Sequence, residues 1–173
     1  MERIGDFVVL SYHDVRDAAS LHEQFKKRSI SAAVIDSAYI MSRLHLVVAL
    51  HRISSAPLII GHDDCQPKMT RKSTARTARD VFAALSHTRN LYRVLEHLTC
   101  SETTRAVVIV LSAPTEEDVA AVLDIVQGVR HGLLSLETYR DEAAVREFYG
   151  VGESEAAALE VTIVNRLATS DIW

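Results

Sequence analysis

Residues 68–79 read Lys68-Met-Thr-Arg71-Lys72-Ser-Thr-Ala-Arg76-Thr-Ala-Arg79, with five cations and no acid. They run without a break into Val81, Phe82 and Leu85, and then into Leu91, Val94, Leu95 and Leu98. The last four stand at i, i+3, i+4 and i+7, one stripe of an α-helix. The stretch predicts a basic, hydroxyl-rich lip joined to a core-facing helical pair that is split around residues 86–89. Such a lip on a rigid body can hold an anionic polymer.

Residues 7–12 (FVVLSY) are short, apolar and β-branched, which predicts a strand. Asp14 stands where an N-cap would accept a backbone N–H, and Ala18, Leu21 and Phe25 follow on one helical face. Residues 29–35 read as irregular or a brief strand. Asp36 is the next N-cap, and Ile40, Leu44, Val47, Val48 and His51 predict the inward stripe of a helix ending near Ile53. Residues 54–67 are a loop by composition. Residues 105–112 (RAVVIVLS) predict a strand buried on both faces. Thr115 caps a helix with acids in its first turn, inward Val119, Val122, Leu123 and Val126, and Gly128 as its stop. A short strand at 132–136 and a helix at 142–149 ended by Gly150 follow. A last helix capped by Ser154 turns Leu159, Ile163 and Leu167 inward. Strands and helices mix without regular βαβ alternation. The expected class is therefore α+β, a small mixed sheet of three to four strands covered by several helices. One domain spans 1–173, with a variable loop at 54–67.

The net charge of −4 excludes a chain that is basic throughout, but the charge is uneven. From Asp141 onward seven acids face only Arg146 and Arg166, against the five cations of the lip. Cys65 and Cys100 lack a C-x-x-C spacing and read as reduced thiols. The charged N-terminus and the short apolar runs argue against a secretory signal or a membrane span. The expected location is cytoplasmic, nuclear or both.

Motifs of reactive chemistry are mostly absent from the sequence. His62-Asp63-Asp64-Cys65 is a cluster of metal-binding types, but four consecutive residues in an extended loop point alternately, so a solvated loop is expected. His45 and His51 are six apart and share no helix face; they read as a rim residue and a satisfied core-edge residue. There is no G-x-S-x-G, no dinucleotide loop and no phosphate cradle. The expectation is a binding protein without cofactor, metal or catalytic residue. In the lip, Thr70, Ser73, Thr74 and Thr77 add neutral phosphate donors to the cations.

These residues resemble a known family. The segment from Lys68-Met69-Thr-Arg71 through Phe82-Ala-Ala-Leu85-Ser86 resembles the K-M-x-T-R-x-x-x-x-E-x-x-x-x-L-S block of the TPRKB family, the kinase-binding small subunit of the KEOPS (EKC) complex. Thr88-Arg89-Asn90-Leu91 through Leu98 resembles its next helix. Val145 to Val151 and Asn165 to Ile172 are similar to its V-x-x-x-Y-x-I and R-x-A-x-x-D-I/V pieces. Asp80 stands where the family has Glu, and residues 54–67 look like an insertion.

The resemblance implies a non-enzymatic α/β body. It would dock through apolar helical surface on a small PRPK-like atypical kinase, meet other KEOPS subunits through that kinase, and help the complex use tRNA for threonylcarbamoyladenosine formation. Related members bind the single-stranded CCA end of tRNA. The tRNA contacts expected are Lys68, Arg71, Lys72, Arg76, Arg79 and Arg89. The kinase contacts expected are exposed apolar residues of the last helix and tail: Ile163, Leu167, Ile172 and Trp173. Two rival readings stand beside this one. One is a kinase-binding scaffold without RNA contact. The other is a small enzyme using the loop at 62–65.

Overall fold

A computed structural model describes residues 1–55, 76–88 and 90–170. Strand β1 is Glu2–Ile4, β2 Phe7–His13, β3 Ala32–Asp36, β4 Val107–Ser112 and β5 Val129–His131. The helices are α1 (Leu21–Lys27), α2 (Arg43–Ser55), α3 (Ala78–Ala84), α4 (Leu91–Leu98), α5 (Glu116–Ile125), α6 (Glu142–Tyr149) and α7 (Leu159–Thr169). The class is α+β, as expected. The sheet, however, has five strands rather than three to four, and every pair is antiparallel rather than mixed. The spatial order is β1–β2–β4–β3, with β5 sharing β1's edge of β2: β1 pairs Phe7 to Val9, and β5 pairs Ser11 to His13.

Strand alternation sorts the apolar residues onto two faces. Phe7, Val9, Ala33, Ile35, Val108 and Val110 point to one side, where α2, α3, α4, α6 and α7 cover them. Val8, Leu10, Val34, Val107, Ile109 and Leu111 point to the other, beneath α1 and α5. Both faces are thus dry, which explains why residues 107–111 read as an unbroken apolar run.

Several helix ends follow the sequence directly. The Thr115 hydroxyl accepts from Asp118 N–H at 3.1 Å while the Asp118 carboxylate accepts from Thr115 N–H at 2.9 Å, a complete capping box. Gly150 closes α6 at φ 64°, a conformation that costs glycine nothing. Other expectations are corrected. Asp14 does not cap α1; it holds φ 52° in the loop before it. Residues 133–138 form 3-10 turns, and the short strand lies just upstream at Val129–His131. Ser154 falls within 3-10 turns at Glu153–Ala158, so α7 starts at Leu159. Gly128 lies beyond the end of α5, where a Cβ would stand 2.9 Å from Val15 Cγ2 and 3.0 Å from the His13 carbonyl.

The largest correction concerns α2. Its buried residues are His45, Leu46, Ala49, Leu50 and Ile53, while Leu44 and His51 are exposed and Val47 and Val48 half-buried. The expected stripe is therefore the outer face. His45, expected at the rim, is fully buried. Its Nδ1 accepts from Met41 N–H at 3.1 Å, so in the neutral ring Nε2 carries the hydrogen. Nε2–H then donates to the Tyr149 hydroxyl at 2.9 Å, and that hydroxyl donates to the Leu85 carbonyl at 2.6 Å. This relay ties α2, α6 and the end of α3 together.

Burial lowers the His45 pKa from 6.5 to about 3. The folded state thus stays unprotonated at a pH where the unfolded chain has taken up a proton, and stability is lost as pH falls below about 6.5. His45→Asn should remove a slope of about 1.4 kcal/mol per pH unit between pH 6 and 4, seen by comparing urea denaturation of the two proteins. Tyr149→Phe should cost about 1–3 kcal/mol at neutral pH in the same assay, because it leaves the Leu85 carbonyl and His45 N–H without partners.

Candidate functional site

The outer face of α2 does not stand alone. The Ser42 hydroxyl donates to the Glu160 carboxylate at the start of α7. At the other end the Arg52 guanidinium donates to the Ser170 carbonyl and hydroxyl, 2.8 Å each, and to the Ala84 carbonyl at 2.6 Å. With both ends pinned, α2 and α7 run side by side in the same direction. Leu159, Ile163 and Leu167 form α7's inner stripe.

Helical geometry then places the remaining apolar residues. Leu44 and Val48 lie on the flank of α2 toward α7. Val161, Val164 and Ala168 lie outward on α7, on the flank toward α2. Leu44 is 50% exposed and Val161 59%, and Val48 and Val164 are half-buried. Single exposed apolar residues are ordinary, but a contiguous patch across two pinned helices has the character of a docking surface.

Ile163 and Leu167, read both as the inward stripe of this helix and as kinase contacts, are fully buried, so the core reading holds and they are not surface anchors. The i, i+4 spacing that marked them serves the core, and Val161 and Val164 carry the outer surface of the same helix. Ile172 and Trp173 lie outside the described residues.

The expected RNA contacts divide. Lys68, Arg71, Lys72 and Arg89 lie outside the described residues, as does the 62–65 cluster. Arg76 is held by structure: it stands 5.9 Å over the Phe7 ring, 3.8 Å from the Asp6 carboxylate and 3.2 Å from the Ser54 hydroxyl. Arg79 is exposed and turns the other way, toward α1. These two cations therefore do not share one rim. Thr77 and Asp80 between them are used locally, since the Asp80 carboxylate accepts from the Thr77 N–H at 2.6 Å and the hydroxyl at 2.9 Å.

Arg79 faces a groove of about 610 Å³. One wall is Ala18, Ala19, His22 and Glu23, at the start of α1. The other is Ala78, Phe82, Leu91 and Leu95, from α3 and α4, and Val34 contributes from the edge strand β3. Cys100 also lines it, but burial and the nearby Asp36 carboxylate push its thiol up to about 12, so it is not a nucleophile at neutral pH.

Among the described residues no group of three or more His, Cys, Asp or Glu is arranged to hold a metal ion, and no helix is long and apolar enough to cross a membrane. The described surface carries exposed apolar residues on α2 and α7 and an apolar groove between α1 and α4.

Comparison with known proteins agrees with this binding character. No curated protein matches the chain. A family described as kinase binding protein CGI-121 matches residues 12–171, which takes in the end of β2 and every element from α1 to α7. The chain belongs to the CGI-121 family of kinase-binding proteins.

Proposed function

We propose that this protein is a non-catalytic subunit of a KEOPS-type assembly that seats a small atypical kinase on the joined outer faces of α2 and α7. The observation that carries this reading is that α2 is apolar on both sides. Outside its buried stripe α2 carries a second apolar one, Leu44, Val47 and Val48, of which Leu44 is exposed and the valines are half-buried in the isolated chain. A kinase partner follows from the family. Leu44 and Val161 are the central anchors, Val48, Val164 and Ala168 fill between them, and His51 and Asn165 form part of a polar rim. The other subunits are reached through the kinase.

Recruitment of tRNA is the second half of the proposal and rests on the cations at 68–72 with Arg89. Arg76 is better used as a strut between α3 and the start of β2, which favours a narrower RNA contact than five cations in a row. That engagement also gives the rival reading, a kinase scaffold without RNA contact, its specific support.

Leu44→Arg and Val161→Arg should each weaken binding to the cognate small kinase about tenfold or more in calorimetric titration, and together should abolish it, as for central interface residues. Leu123→Arg, exposed on α5 beneath the opposite face of the sheet, should leave it unchanged. Full affinity in the double variant would rule out this face.

For the RNA half, Lys68→Glu, Arg71→Glu and Lys72→Glu combined should abolish tRNA retention in a gel shift while sparing the kinase. If about three phosphates are neutralised, log K should fall with log salt at a slope near −2, and tRNA trimmed of its 3′ end should bind poorly. Equal retention by the triple variant, or by trimmed tRNA, would leave only the scaffold.

A further inference from the structure

The groove between α1 and α4 is lined by no residue of α2 or α7 and so lies apart from the proposed kinase face. Three features describe its occupant. First, its walls are helices, and Ala18, Ala19 and Ala78 keep it open enough for another backbone to come close. Second, its apolar surface continues outward: Leu91 and Leu95 are only half-buried, and Tyr92, beside them on α4, is 79% exposed. An exposed tyrosine at the lip of an apolar groove has the form of a protein-binding hot spot. Third, the rim carries opposite charges on opposite walls, Arg79 on α3 and Glu23 on α1. Neither has an ion-pair partner among the described residues.

We infer that this groove receives an amphipathic helix from a partner protein, apolar at i, i+3 or i+4, and i+7, with an acid on the flank toward Arg79 and a base on the flank toward Glu23. Helix-in-groove recognition needs an apolar trough for the stripe and flanking charges to fix direction, and both are present. The charges set orientation more than strength, because they sit at an exposed rim. The occupant lies with its apolar stripe over Phe82 and Val34 and one edge against Tyr92. A uniformly basic or uniformly acidic helix meets one matched and one repelling wall.

The probe is a synthetic amphipathic helix of about four turns (~14 residues), labelled for fluorescence anisotropy and made in two forms that differ only by exchange of the Glu and Lys flanks. The matched form should bind the full-length protein about tenfold tighter than the exchanged form at low salt. Glu23→Arg combined with Arg79→Glu should reverse the preference, an inversion that misfolding cannot produce. Tyr92→Ala should weaken both forms. Equal binding of the two forms, or of neither, would overturn the inference. A fluorescent anilinonaphthalene sulfonate that enters the groove and is displaced by decanoate, with no peptide binding, would also overturn it and assign the site to a small apolar ligand. Competition between peptide and kinase would place both on one surface and overturn a separate site; loss of kinase binding in the α2 and α7 variants leaves it untouched.

Discussion

A histidine with no access to water has one workable state here, and the helical layer is arranged around it. Neutral His45 accepts from the Met41 N–H and passes a hydrogen to Tyr149, which passes one to the Leu85 carbonyl. Each group would cost about 1–3 kcal/mol if left unpaired in a dry interior. The three bonds therefore fix where α2 begins, how far α6 reaches and where α3 stops. Fixing α2 in this rotation commits Leu46, Ala49, Leu50 and Ile53 to the core, leaves Leu44 exposed and sets Val48 half-buried at the core's edge.

Arg52 completes the arrangement at the other end. One guanidinium spans the last carbonyls of α3 and the end of α7, where orphan acceptors need donors. Its chemistry is the reverse of a free surface cation, since its hydrogens are spent on the ends of two helices. With Ser42 and Glu160 it holds two outward apolar flanks in register. A docking surface on paired helices is more rigid than one on loops, so less entropy is lost when a partner seats on it. The family is one of kinase-binding proteins, and paired helices suit such a contact.

Much of the architecture was legible because local signals and tertiary packing coincide. Residues 7–12 and 105–112 announce strands by β-branched density, and Thr115 and Gly150 mark helix ends that form as read. The face of α2 was not legible. Leu44, Val47, Val48 and His51 are spaced at i, i+3, i+4 and i+7, and so are Leu46, Ala49, Leu50 and Ile53. Two matching stripes on one helix leave periodicity with no basis for choice. The deciding group is Tyr149, 104 residues from His45 in the chain, and no local pattern carries that pairing. The same limit applies to Ile163 and Leu167, whose spacing marks a buried stripe without saying what buries it. Arg76 and Arg79 look alike in a row of cations, and only the fold sends one to Phe7 and the other to the α1 groove. That groove was invisible because its walls come from four separate elements.

The central claim is that the partner kinase covers the outer flanks of α2 and α7. Amide hydrogen exchange of the protein alone and in complex with its small atypical kinase reads this directly. Slowed exchange confined to residues 43–52 and 160–169, with α5 unchanged, is the predicted result. Protection of α1 or α5, with those two helices exchanging as in the free protein, would contradict it.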